Sequence, residues 1–168
     1  MTCFIEVMGN RGPAIVRFEE PGSPVTVNVR AGSVMSMLWS ATGRVFLALL
    51  DESRVRALAE EELPHAPADL RGQRDPTDPI GQRRREVRAV CCATVQDTNL
   101  KRISAVAAPP FNVNGHLCAT LTALGATGGF DASINGPIAT ALRQEAKTIS
   151  AEVGDVPNSA DAILHGGA

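Results

Sequence analysis

The sequence predicts an α+β domain built on an antiparallel sheet, and three observations point there. Val25, Val27 and Val29 alternate with Thr26, Asn28 and Arg30, the period-2 pattern of a half-buried strand. Asn114-Gly115 sits between two apolar runs, and Asn-Gly supplies the positive φ that a tight hairpin needs. Ile138, Leu142, Ala146 and Ile149 recur at helical spacing, giving a helix face that would cover a sheet.

In chain order, the opening residues alternate loosely and turn at Gly9-Asn10-Arg11-Gly12-Pro13. Ala14 to Phe18 resumes an extended pattern, and Glu19 to Pro24 breaks it before the valine strand. Loops this short hold no crossover helix, so the three strands read as an antiparallel start. Met35 to Trp39 is an apolar approach to a helix capped by Ser40, with Thr42 as second choice, and 43–50 reads as short and largely buried. A second helix starts near Asp51. Its apolar stripe is Val55, Leu58, Ala59 and Leu63, with Glu60, Glu61 and Glu62 turned to solvent and a fraying end. The prolines of residues 64–79 mark a surface loop, followed by an exposed basic helix ending near Val90. Cys91 to Val95 and Ile103 to Ala108 read as strands, and His116 to Leu124 as the return of the Asn-Gly hairpin. Residues 125–129 read as a loop, and Asn135 as the cap of the last helix. The domain is expected over 1–154, with 155–168 a flexible C-terminal tail.

Composition narrows the function classes. The chain has 168 residues, 44% of them hydrophobic and 20% charged, with a net charge of -2. That suits one domain with its own core and gives no basic footprint for nucleic acid. No run of about 18 apolar residues offers a membrane span. The N-terminus lacks a basic region followed by an apolar run, so cytoplasmic residence is expected. The four cysteines, Cys3, Cys91, Cys92 and Cys118, form no Cys-x-x-Cys and read as reduced and mostly buried.

Most motifs for catalysis are missing. His65, His116 and His165 lie in unlike segments, with no HExxH and no His-x-His, so no metal or other cofactor is expected. Ser133, Ser150 and Ser159 have no nucleophile elbow around them. Gly125-Ala126-Thr127-Gly128-Gly129 lacks the spacing and lysine of a phosphate loop. Asp97 reads as a turn residue. Arg83-Arg84-Arg85 and Arg88 read as a solvated helix face, because no aromatics interleave with them. One enzyme alternative stays open, a thiol reductase using Cys91 or Cys92 with Cys118, which requires a solvent-open thiol of depressed pKa.

Ser40-Ala41-Thr42-Gly43 carries a binding logic. The first amides of a helix have no internal partner and favour an anion, and small residues let a ligand approach them.

The stretch from Ser40 to Leu50 resembles the small-small-x-Gly-Lys/Arg-x-x-Leu-Ala segment in the C-terminal effector-binding domain of IclR-type transcriptional regulators. Ile103-Ser104-Ala105-Val106-Ala107-Ala108-Pro109-Pro110-Phe111-Asn112 is similar to that family's Ile-Ala-Ala-Pro-Val-Phe-Asp. Leu121 to Gly125 stands where the family has a strand ending in Ser-x-Ser-Gly, and Val29-Arg30-Ala31-Gly32 fits its Val-Gly. The resemblance implies a GAF-like fold, a cupped antiparallel sheet of about six strands flanked by helices. It implies a pocket for a small organic effector, self-association as dimer or tetramer, and DNA reading only through an N-terminal helix-turn-helix absent from this chain.

Carried over by position, the resemblance gives Ala41, Thr42 and Gly43 the role of amide donors to the ligand. A position where a cysteine sometimes lies near the ligand falls on Ala105, and two hydroxyl positions fall on Thr122 and Leu124. The family's Gly-Tyr and paired acids fall on Cys91-Cys92 and on Val95-Gln96-Asp97, so Val95 replaces the first acid. Met35, Met37 and Trp39 stand close to the cup. With Val95, Ala105 and Leu124 apolar, the expected effector is an aromatic or otherwise apolar organic acid, with Thr42 and Thr122 as its hydroxyl contacts. A pure oligomerisation module with a collapsed cup is a third reading.

Overall fold

Alternating burial along Thr2, Phe4 and Glu6 fixes the inner face of the first strand, and the rest of the sheet is built around it. The computed structural model describes residues 1–19, 29–66, 75, 77–98 and 100–153. The valine strand at 25–29 therefore lies outside the described residues except for Val29, as do His165, Ser159 and the 155–168 tail. Strands β1 (Thr2–Gly9), β2 (Gly12–Glu19), β3 (Ala93–Gln96), β4 (Ile103–Ala108) and β5 (Thr120–Ala126) form one antiparallel sheet in the order β2-β1-β5-β4-β3. Among the described residues the sheet has five strands, close to the six expected.

The strand period sorts side chains between two layers. On β4, Ala105 and Ala107 face one core, and Val106 and Ala108 face the other. Helix α1 (Ala41–Leu49) packs on the first face, and α4 (Pro137–Glu152) covers β4 and β5 on the second. The β4–β5 pairing makes the Asn-Gly hairpin real, with Gly115 at φ +70. Its return strand starts at Thr120 and runs through Ala126, later than the sequence suggested at both ends. The ring of Phe130 lies where a Cβ of Gly125 would go, 2.7 Å away, so that glycine belongs to the strand and to packing, not to a loop.

Helix α1 is capped by Ser40, as expected, and Val45, Phe46, Leu47 and Ala48 are at most 1% exposed. Burying Val45, Phe46 and Leu47 contributes roughly 1.5–3 kcal/mol each. A helix buried on all sides needs neighbours on its far side too, and α2 (Glu52–Glu62, capped by Asp51) and α3 (Pro79–Val90, capped by Asp78) supply them.

Three expectations need correction here. Glu62 is not a solvent-facing end of α2: its carboxylate accepts from Met37 N at 2.7 Å, Leu38 N at 3.1 Å and the Ser36 hydroxyl at 2.5 Å. Arg84 and Arg88 are not a solvated face. They donate to the Leu47 and Ala48 carbonyls at 2.5 and 2.8 Å, satisfying acceptors that the end of α1 leaves open. The cap of α4 is Gly136, not Asn135, and its buried stripe is Ala139, Leu142, Ala146 and Ser150, so Ile149 sits at the margin.

Candidate ligand-binding site

Extended backbone at Ser40 ends the apolar approach and turns the chain into α1 directly above the sheet. Under that turn lies a cavity of about 20 Å³. Met35, Ala41, Thr42, Val95, Ala105, Thr122 and Leu124 line it, together with Phe4, Ser40, Leu100 and Ile103. Seven of the sequence-predicted site residues thus converge from the 29–40 segment, α1, β3, β4 and β5. The lining is mostly apolar, as the Val95, Ala105 and Leu124 positions suggested.

Two predicted residues go elsewhere. Trp39, like Met37, packs with Leu38, Phe46 and Val55 against the α2 side. Gly43 does not line the cavity: a Cβ there would meet the Ser36 carbonyl oxygen at 1.9 Å and Met37 Cα at 2.5 Å. The Gly43 amide donates to Ser40 Oγ at 2.9 Å. Its absent side chain admits the 36–37 backbone. Among the described residues, the amides of Ala41 and Thr42 have no acceptor, so the helix start offers two unspent donors beside the cavity.

Glu6 is the residue that the sequence reading missed. It is fully buried on β1, behind Thr42 and Thr122. A bulge in the β1–β2 pairing opens just at Glu6: Ile5 faces Arg17, Glu6 faces Ile15, and Val16 is left over and exposed. Thr42 Oγ1 is within hydrogen-bonding reach of Glu6 Oε1, and Thr120 and Thr122 donate to Oε2 at 2.9 and 2.8 Å. Thr42 Oγ1 and Thr122 Oγ1 are also 2.9 Å apart. The available signal was the alternation itself, which puts position 6 on the same inward face as Phe4.

Burial pushes the Glu6 carboxyl up to about 7, against the opposing pull of the three threonine hydroxyls. Its native pKa thus lies above the ordinary 4.5, so between those values the folded chain holds more protons than the unfolded one. The resulting stability is fully present below the unfolded pKa and is lost as pH rises through the folded one. At 1.36 kcal/mol per unit the loss approaches about 3 kcal/mol by pH ~8. Urea midpoints measured from pH 5 to 8 should fall, and Glu6→Gln, which keeps a donor and an acceptor, should flatten that slope.

A polar cleft of about 240 Å³ lies on the other side of Val95, lined by Arg44, Arg83, Thr94, Gln96 and Thr98. Arg44 is occupied there, donating to Leu38 O at 2.9 Å and Thr94 O at 3.1 Å, and burial lowers its pKa to about 10. Asp97 keeps its turn role, with φ +55 and a hydrogen bond from Thr127 Oγ1 at 3.1 Å. The thiols are less buried than the sequence suggested. Only Cys92 is buried; Cys3 and Cys91 are half-buried, and Cys118 is exposed. Burial raises Cys92 to about 11, the opposite of an activated thiol. Cys91 ends α3 in the left-handed region at φ +49, a capping position. Among the described residues no group of three or more metal-binding side chains forms, and no helix is long and apolar enough to cross a membrane.

Comparison with known proteins agrees with this architecture. No curated protein matches the chain. Among solved structures, Pseudomonas aeruginosa HmgR is 35% identical with a TM-score of 0.82, covering 93% of this chain and 60% of its own. An IclR transcriptional regulator from Alicyclobacillus acidocaldarius is 25% identical at TM-score 0.71, over 92% of this chain and 61% of its own. Thermotoga maritima IclR, at 19% identity, shares the fold with a TM-score of 0.73, over 91% of this chain and 61% of its own. This chain therefore spans about three-fifths of these regulators. The family model described as "Bacterial transcriptional regulator IclR C-terminal" matches residues 2–151, and the chain belongs to that family of C-terminal domains.

Proposed function

We propose that this chain is the effector-sensing domain of a transcriptional regulator and binds a partly apolar organic acid at the head of α1. The observation that carries this reading is the pair of unspent amides, Ala41 and Thr42, beside a cavity walled by Phe4, Met35, Val95, Ala105 and Leu124. The amides suit a carboxylate, and the walls suit an apolar body. A cavity of 20 Å³ holds no more than a water, whereas a benzene-sized guest needs about 150 Å³. A guest must therefore displace wall side chains. Met35 is the adaptable one, an unbranched thioether on a segment with little regular structure. Output would pass through self-association, as dimer or tetramer, to an attached helix-turn-helix.

The experiment is calorimetry with benzoate and phenylacetate against glyoxylate and pyruvate. The aromatic acids should bind and the small ones bind weakly; tight glyoxylate or pyruvate binding with no aromatic binding overturns the assignment of an apolar acid. Ala105→Leu, which fills the cavity, should weaken aromatic-acid binding about tenfold or more, that is 1.4 kcal/mol or above. The small cavity favours one second reading, an assembly module with a collapsed cup. That reading predicts a stable oligomer by native mass spectrometry and no binding of any of the four acids.

A further inference from the structure

Counting protons in the cluster behind the cavity shows that its hydroxyls are not enough. Four oxygen–oxygen contacts join Glu6, Thr42, Thr120 and Thr122. Each threonine hydroxyl has one proton to donate, and an ionised carboxylate has none. Three protons cannot fill four contacts, so with Glu6 ionised one pair, such as Thr42 and Thr122 at 2.9 Å, would set lone pair against lone pair. A fourth proton on Glu6 Oε1 completes the set. Oε1–H then donates to Thr42, Thr42 to Thr122, and Thr122 back to Oε2, while Thr120 also donates to Oε2.

We propose that Glu6 holds a proton in a closed ring with Thr42 and Thr122, and that an anionic guest at the α1 head is taken up together with that proton. The second half rests on the sensing reading above. A carboxylate at the Ala41 and Thr42 amides would lie next to the residue whose hydroxyl touches Glu6. Two negative charges that close, away from water, disfavour each other, so guest and proton favour each other. Burial of the Glu6 carboxyl acts in the same direction. Among the described residues, no charged side chain engages Glu6 from the elements around it. Beta strand β5 presents Thr120 and Thr122, and α1 presents Thr42 while its Arg44 bonds Leu38 O and Thr94 O. Beta strand β2 presents Ile15 while its Arg17 and Glu19 pair at the surface, and on β1 itself Cys3 lies on the opposite face.

Two measurements separate the halves. Infrared difference spectra of the unliganded protein should show the carbonyl band of a protonated carboxyl that fades as pH rises through neutrality and is missing in Glu6→Gln. A band lost already below pH 5, or one unchanged in the variant, overturns the ring. Calorimetry with benzoate and phenylacetate should give an affinity that falls about tenfold per pH unit above neutrality, with proton uptake visible in buffers of different ionisation enthalpy. Glu6→Gln should bind with no such slope. Binding above neutrality without proton uptake overturns the coupling and leaves the sensing reading intact. No binding of any of the four acids overturns the sensing reading and the coupling with it, and the ring then stands or falls on the infrared band.

Discussion

Alanine at position 43 is expected to destabilise the domain by about 3 kcal/mol or more, the upper range for overpacking. The added Cβ would lie 1.9 Å from the Ser36 carbonyl oxygen and 2.5 Å from Met37 Cα. Both are backbone atoms, so no flexible side chain can swing aside. That backbone is also held from two directions. Ser40 Oγ donates to Ser36 O at 2.5 Å, and Glu62 takes the amides of Met37 and Leu38. Relief would require α1 to move off the segment, breaking the burial of Phe46 and Leu47. Urea or thermal unfolding of Gly43→Ala checks this, and a variant within 0.5 kcal/mol of the parent (roughly the scatter of neutral surface changes) would show that α1 shifts freely.

Glu62→Ala is expected to cost about 3–5 kcal/mol, since bonds to a charged acceptor contribute roughly 1.5–3 kcal/mol each. Removing the carboxylate leaves two backbone amides and the Ser36 hydroxyl without their acceptor. Met37 and Leu38 are at most 2% exposed, so water cannot readily replace it. The same hydroxyl accepts from Trp39 N at 2.9 Å, so the loss spreads to the turn that leads into α1. Chemical denaturation supplies the stability. Hydrogen exchange at Met37 and Leu38 supplies the location: their amides should lose protection in the variant while those of α4 change only with global stability. Glu62→Gln, which retains one acceptor oxygen, should be milder.

Both effects arise at positions to which the sequence assigned a different role. Gly43 carried a binding role by position, and Glu62 belonged to a run of three glutamates on a helix with an exposed face. Elsewhere local chemistry was sufficient. Ser40 and Asp51 have the side chains that cap helices, and they cap α1 and α2. Asn-Gly made its hairpin because a positive φ at Gly115 is a property of the residue itself. The cavity-lining positions Val95, Ala105, Thr122 and Leu124 were found through the family's motifs, which encode places in a fold rather than chemistry legible in each residue, whereas Ala41 and Thr42 were also legible as small residues at a helix start.

The sequence by itself determined the caps of α1 and α2, the Asn-Gly turn and the inward face of β1, because capping, turn preference and period-2 burial act between residues near one another in the chain. It also set the apolar character of the cavity wall, since side-chain type is written there directly. Only the tertiary structure decided which polar groups meet. Glu6 finds Thr42, Thr120 and Thr122 across separations of 36, 114 and 116 residues, and Arg84 and Arg88 reach the end of α1 across 37 and 40. A buried polar or charged group is tolerable only beside its partners. Whether a glutamate or arginine points to water or closes a core is therefore fixed by distant neighbours that no local pattern announces.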